Sequence, residues 1–416
     1  MFVSLRAGGL FVILSLIFFH ITATTFASLG VVLPAMIAEL NWSWTEAGFG
    51  FTVLALFTGL FSPVAAASLK RLGLRGNYGL GGAAMAIGFA LLASTKGLFV
   101  YLAATSFLGA GFALLANVPS VFVVAQTVRD TARNMSVGIY LAAGGVGGVA
   151  GPLLANALLA ADYDWRLYWR LAFVVTLLLT GLFMLVADSR YAKSDDGADT
   201  DDNTALEKRA YDENAREQTA GRDWTLKEAL RSPAFYLIGG ALMAAYFCGV
   251  SVSSWAVSHL IDFGLSAGFA SAMLSLHAAS NAIARAAGGF AVKFARARYL
   301  LLIGLAAEAV GMIALSMAST PTLAIVFALF EGFAFGMILF ATTVLQIEYF
   351  GLKNSPAILG AMNLFATVAM LGPVLTGAVG DASGSFSPIF VVYGLAAGAL
   401  ALAGLFIHNP NKANAT

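Results

Sequence analysis

One cysteine, Cys248, stands alone in 416 residues, so the chain can build neither an internal disulfide framework nor a cysteine metal site. Charge is almost as scarce. Only 11% of the residues are Asp, Glu, Lys or Arg, against about a quarter in an ordinary soluble domain. The formal net charge of +1 offers no basic surface for nucleic acid. No His, Asp and Glu cluster has metal-ligand spacing, and no nucleophile triad or pair of catalytic carboxylates emerges. The sequence therefore predicts neither an enzyme nor a cofactor or metal. The glycine run Gly144-Gly145-Val146-Gly147-Gly148 is not a nucleotide loop, because no strand precedes it and no Gly-Lys-Ser/Thr ending follows. Small residues at that spacing suit close helix contact, and Pro152 suits a bend.

What is present is apolar sequence: 59% of residues are hydrophobic and the mean hydropathy is +0.83. Burying so much apolar surface in water would need a larger core than one chain of this length provides, whereas a bilayer removes the difficulty. A span needs about 20 mostly apolar residues. Twelve segments qualify: 10–36, 45–69, 78–94, 98–125, 135–159, 168–186, 235–259, 267–292, 299–318, 322–347, 357–379 and 389–408. Inside lipid the backbone must bond to itself, and continuous apolar runs exclude the alternation of a barrel, so all twelve are helices. Arg6, the run 10–19 and the small residues at 23–28 resemble a secretory leader. The apolar sequence continues to Ile37, however, and the segment reads as the first span.

Nineteen of the 23 Lys and Arg residues fall on one side of these spans if both termini share it. Lys96, Arg166 and Arg170 alone fall on the other, and Arg285 lies within a span. The bias predicts a multi-pass protein of the inner (plasma) membrane with both termini in the cytoplasm. The long polar stretch 188–234 divides the spans six and six, giving two helical halves, 1–187 and 235–416. Its first part is acidic and of disordered composition. Thr225-Leu226-Lys227-Glu228 fits a capping box, which predicts a short amphipathic surface helix broken at Pro233.

The halves echo each other. Gly151-Pro152 returns as Gly372-Pro373, Phe107–Phe112 (FLGAGF) as Phe330–Phe335 (FEGFAF), and Lys70 as Lys293, at separations of 221, 223 and 223 residues. Parallel repeats of six helices mark the major facilitator architecture.

Several segments resemble the monocarboxylate transporter branch of the major facilitators, which includes the bacterial oxalate/formate antiporter-like proteins. They are Ser62-Pro63 leading to Arg71-Leu72-Gly73-Leu74-Arg75, Asp164-Trp165-Arg166, Trp224–Phe235 (WTLKEALRSPAF), and Glu348-Tyr349-Phe350-Gly351 with Ile358-Leu359-Gly360, Gly372-Pro373 and Asp381 to Ser385. The likeness runs over most of the chain. It departs at Lys70 and Lys293, since the family's loop motif normally has an Asp at the first of these, and the cytoplasmic latch that Asp helps form is thereby in question. The aspartate-glycine signature of animal members is not visible in the first span.

Arg285 is the sharpest signal of chemistry. A charge deep in a span costs at least a few kcal/mol, and a guanidinium offers a fork that matches a carboxylate. The resemblance implies that an arginine here binds the substrate carboxylate; the competing role is a structural ion pair with an intramembrane Glu. Asn281 lies one turn away and His277 a further turn. Animal relatives have an Asp where Asn281 stands, so Arg285 has no counter-ion in its own helix, which favours an anionic substrate. Glu331 in the tenth span is a candidate proton carrier or partner of Arg285, while Glu308 in the ninth reads as structural. His20, on a face with Thr24 and Ser28, and His277 either titrate or simply hydrogen-bond. Ser251, Ser254 and Ser258 form a polar stripe, and Asn117 and Asn363 add polar groups to the fourth and eleventh spans.

The expectation is a monomeric carrier that moves a small organic anion by alternating access, binding it at Arg285 near the midplane, with proton symport as the coupling. Carboxylate exchange and export of drugs or metabolites are the alternatives. Relatives that exchange dicarboxylates use a second basic residue in the eleventh span; residues 357–379 hold none, which favours a monocarboxylate. A ligand sensor with the same fold would usually carry an appended signalling domain.

Overall fold

The computed structural model describes residues 5–116, 133–187, 223–351, 354–406 and 409–410. Their secondary structure is helical throughout, with no strand among them. Eleven stretches are long and apolar enough to cross a bilayer. In chain order the helices are α1 (Gly8–Leu40), α2 (Trp44–Leu69), α3 (Arg71–Ala93), α4 (Leu98–Leu115), α5 (Arg133–Ala160), α6 (Trp165–Val186), α7 (Pro233–Asp262), α8 (Ala267–Ala291), α9 (Ala297–Ser316), α10 (Pro321–Phe350), α11 (Ala357–Ser383) and α12 (Ser387–Phe406). The twelfth traverse, α8, is the least apolar and is the helix that carries His277, Asn281 and Arg285. Of the expected polar linker, only its end from Asp223 lies within the described residues, and Asn117 lies outside them.

Helix starts follow from local chemistry. Ser43 and Glu46 form a reciprocal capping box at α2, Asp164 caps α6, and Ser266 caps α8. Ser232 and Thr320 each accept from a first-turn N–H and are followed by Pro233 and Pro321. Proline is tolerated there because its missing N–H would have no partner anyway. Pro233 thus opens α7. The expected amphipathic helix after Thr225 is a single capped turn, Leu226–Ala229.

One expected boundary changes, and two helices contain irregular turns. The loop foreseen between the second and third spans is helical, and α2 runs into α3 with only Gly73 out of helical geometry, at φ 68°. That value is open to glycine at little cost and lets the chain reverse within one residue. α1 contains a π-helical turn at Ala23–Ala27. α11 is interrupted by a 3-10 turn, Thr367–Leu371, ahead of Gly372-Pro373, where proline cannot donate to the preceding turn.

Glycines set the helix contacts. In the run at 144–148, Gly144 and Gly147 lie against Phe18 and the Phe19 carbonyl of α1, while Gly145 and Gly148 face Ala282 and Ala278 of α8. One short sequence therefore serves two neighbours. The repeat seen in the sequence is present in the packing as well. Gly109 of α4 sits on the Leu54 carbonyl of α2, and Gly332 of α10 sits on the His277 carbonyl of α8; Gly88 packs on Leu108, and Gly311 on Glu331. Every residue number in the second member of each pair is 223 above the first. A side chain added at Gly332 would meet the His277 carbonyl, backbone that cannot yield, so Gly332→Leu should push α10 from α8. A loss of roughly 1–3 kcal/mol is expected, read as a lower Tm of the purified protein in detergent.

A cavity lined by one cation

α8 brings Arg285 to a cavity of about 360 Å³ that is otherwise lined by α7 (Leu242, Tyr246), α10 (Leu339, Phe340, Thr342, Thr343) and α11 (Leu359, Met362, Asn363). The side chain is exposed to this space. Its Nε donates to Asn281 Oδ1 at 2.9 Å, one turn back on the same helix. The guanidinium carbon lies 5.8 Å from the centre of the Phe335 ring, within reach of a cation–π attraction. Among the described residues no carboxylate lies within ion-pair distance of Arg285. The hydrogen bond uses Nε, and among the described residues the two terminal nitrogens have no hydrogen-bond partner, which leaves them for an end-on, two-pronged carboxylate.

The cavity is not at the middle of the bundle. Six residues separate Arg285 from the end of α8, about 9 Å of helix rise, so the site lies toward the face where α1 begins and α12 ends. Its described walls come wholly from the last six helices.

His277 stands two turns from Arg285, about 12 Å of rise toward the helix middle, and it pairs with Glu331 across the α8–α10 contact. Glu331 is fully buried and His277 nearly so. Glu331 is therefore the partner of His277, not of Arg285. Glu308 of α9 is also fully buried and is a close electrostatic neighbour of Glu331, with the Cys248 thiol of α7 beside it. Three ionisable groups and a thiol thus meet in the core of the last six helices.

The 223-residue repeat shows what the fold itself requires at these places. The counterparts of His277, Glu308 and Glu331 are Leu54, Met85 and Leu108, all buried. Those of Asn281 and Arg285 are Thr58 and Ser62, where the serine hydroxyl donates to the Thr58 carbonyl at 2.9 Å. The same packing is built with no charge at the corresponding positions of the first six helices. Charge at the second set is an addition to the fold.

The remaining candidates are placed apart from the cavity. His20 Nε2 lies 2.9 Å from Thr176 Oγ1, whose hydroxyl already donates to the Ala172 carbonyl at 2.8 Å. The imidazole must then be the donor, which ties α1 to α6. Ser28 accepts from Tyr168 at 2.6 Å. Ser251 accepts from Thr376 at 3.2 Å, and Ser254 donates to its own helix. Of the polar residues singled out in the sequence, Asn363 alone joins Arg285 in lining the cavity. Tyr246, Thr342 and Thr343 were missed, because hydroxyls inside apolar helices usually bond their own backbone and carry no distinctive pattern.

At the opposite face the two sets of helices are in contact. The Asp381 carboxylate of α11 accepts the N–H groups of Trp44 and Thr45 at 2.9 and 2.8 Å, and also the Thr45 hydroxyl. A carboxylate at a helix N-terminus meets free N–H groups and the positive end of the helix dipole. Gly377 lies on the Trp44 carbonyl, Gly48 on the Pro373 carbonyl, and the Trp44 and Phe386 rings meet tilted at 42° with centres 4.5 Å apart. These contacts tie the two sets of helices together at this face, and the Arg285 cavity stands at the other. Asp381→Ala should loosen this contact, so that a cysteine placed at Thr45 reacts several-fold faster with a water-soluble maleimide. The buried native Cys248 contributes little background.

Comparison with solved structures gives the same architecture. The nucleoside transporter NupG superposes with a TM-score of 0.69 at 15% identity, with 97% of this chain and 98% of that one covered. An inward-facing, occupied bacterial homologue of the human lysosomal transporter Spinster gives 0.70 at 15%, covering 97% of each chain. A D-xylose–proton symporter gives 0.67 at 18%, covering 97% and 98%. At these identities the likeness concerns the fold. No curated protein sequence matches the chain significantly. The family model of the Major Facilitator Superfamily matches residues 13–296, more than half of the chain, and the protein is a member of that superfamily, a membrane transporter rather than an enzyme.

Proposed function

We propose that the protein carries a small organic anion, a monocarboxylate, together with a proton across the inner membrane. The observation that carries this reading is Arg285: a cation exposed in a cavity, held by a neutral Asn281, with no acidic partner among the described residues. A bare cation in such surroundings favours an anionic guest, and a carboxylate fits its fork. Phe335, Tyr246, Leu242 and Met362 supply apolar and aromatic walls, with the Asn363 amide to donate to a further oxygen; the Thr342 and Thr343 hydroxyls donate to the Ile338 and Leu339 carbonyls of their own helix. A cavity of about 360 Å³ suits a small guest. Sugars and nucleosides, the cargo named for two of the structural neighbours, would leave the guanidinium charge unmatched.

Coupling is assigned to the His277–Glu331 pair with Glu308 beside it. Burying an uncompensated charge costs several kcal/mol, and these three groups can hold a proton in place of one. The anion neutralises Arg285 and the proton neutralises the core, so both must be loaded before the bundle closes without stranding charge. Residues 1–187 and 235–416 then rock as two units about the site, exposing it at the other face, in a chain working as a monomer with both termini cytoplasmic. His20, donating to Thr176, serves α1–α6 packing. Asn281 orients Arg285, His277 acts in the proton site instead of at the carboxylate, and Asn117 lies outside the described residues.

The ligand class is tested by thermal stability of the purified protein in detergent. Lactate, pyruvate and related acids should raise Tm in a saturable manner, while their amides, xylose and uridine should not. Stabilisation by the neutral compounds alone would overturn the assignment.

A further inference from the structure

Lys96, Arg166 and Arg170 are the three basic residues that the sequence leaves on the face of the Asp381 contact. The fold brings all three to one cleft of about 450 Å³ between the end of α3 and the start of α6. Arg166 is fully engaged. It pairs with Glu39 at 2.8 Å and Asp164 at 3.5 Å, donates to the Thr95 carbonyl at 3.3 Å, and lies 4.2 Å from the Trp165 ring centre. It therefore fixes the cleft by tying α6 to α1 and to the end of α3. Lys96 and Arg170 have no acidic partner among the described residues and are exposed.

Three observations bear on what these two charges meet. First, the cleft continues down the helices past Ala90 and Phe173, so a basic rim stands over an apolar wall. Second, α6 next to it presents Leu171, Val174 and Leu178, each 46% exposed or more. In a chain of spans this stripe faces acyl chains. The cleft therefore opens toward lipid at the depth of the headgroups, and the Arg285 cavity, lined by none of the same residues, lies at the other face. Third, the repeat supplies a comparison. The corresponding corner between α9 and α12 has no basic residue: Met317–Thr320 and all of α12 contain neither Lys nor Arg. The fold closes that corner without charge.

We propose that Lys96 and Arg170 bind the phosphate of an anionic phospholipid whose acyl chain runs down past Phe173 along α6. Ammonium and guanidinium groups both bind phosphate oxygens with charge-assisted hydrogen bonds, and basic pockets between membrane helices take such headgroups. Arg166, already neutralised, shapes the site without binding the lipid.

The test uses the full chain in nanodiscs of phosphatidylcholine or of phosphatidylcholine with phosphatidylglycerol, followed by mild delipidation and native mass spectrometry. The protein should retain phosphatidylglycerol in preference to phosphatidylcholine. The double variant Lys96→Ala/Arg170→Ala should lose roughly tenfold of that preference, whereas Lys96→Arg keeps it. Both side chains are exposed, so folding is checked simply by monodispersity. Equal retention of the two lipids, or an unchanged preference in the monodisperse double variant, overturns the proposal. Displacement by glycerol phosphate as effective as by short-chain phosphatidylglycerol also overturns it, since the site would then be one for a free anion. None of these outcomes depends on what Arg285 binds.

Discussion

Replacing Arg285 with alanine should abolish uptake of the proposed carboxylate in reconstituted vesicles while leaving the protein folded. The side chain is exposed in the cavity, and its hydrogen bond to Asn281 lies within one helix, so α8 does not depend on it for packing. Its counterpart Ser62 shows that the fold accepts an uncharged residue here. Hydrogen bonds to charged groups are worth roughly 1.5–3 kcal/mol each. Removing a two-pronged pair should then weaken binding about 100-fold or more. Arg285→Lys keeps the charge but loses the planar fork, and it should recover part of the affinity. The Tm without ligand should move little in either variant, and acids should no longer raise it in Arg285→Ala.

The second large effect is expected at Glu331. Glutamine has the shape of the protonated acid and cannot release a proton. Glu331→Gln should therefore still bind the anion and exchange labelled for unlabelled substrate, yet fail to accumulate it under an inward proton gradient. A loss of both activities would instead mean that the pair with His277 is structural. Glu308→Gln tests the neighbouring carboxyl in the same assay; its counterpart, the buried Met85, indicates that this position tolerates a neutral side chain. His20→Gln, which keeps a donor for Thr176, should leave coupling unchanged.

Legibility in the sequence differed by level. The spans were readable because lipid forces long apolar runs, and the repeat was readable because the same glycine contacts are used twice. Boundaries shifted where geometry is set by one residue: Gly73 turns the chain with no loop, and Pro233 begins a helix instead of only ending one. Arg285 stood out because a charge in a span is rare. Its depth did not, since that requires knowing where α8 ends. The meeting of His277 and Glu331, 54 positions apart, depends on the register of α8 against α10, which Gly332 and Gly336 fix by lying on the carbonyls of His277 and Asn281. Glu308 read as a structural group because its distance from Glu331 is set by a third helix. The Asp381 cap on α2 joins residues 336 and 337 positions apart, a separation at which local sequence has nothing to say.

The most direct test of the account is uptake of radiolabelled lactate, pyruvate and related acids into proteoliposomes, with and without an inward proton gradient, beside Arg285→Ala. The account predicts accumulation that is driven by the gradient and absent in the variant. Uptake that requires acid preloaded inside would replace symport by exchange. Normal transport by Arg285→Ala, or no movement of any small acid, would contradict the carboxylate assignment itself.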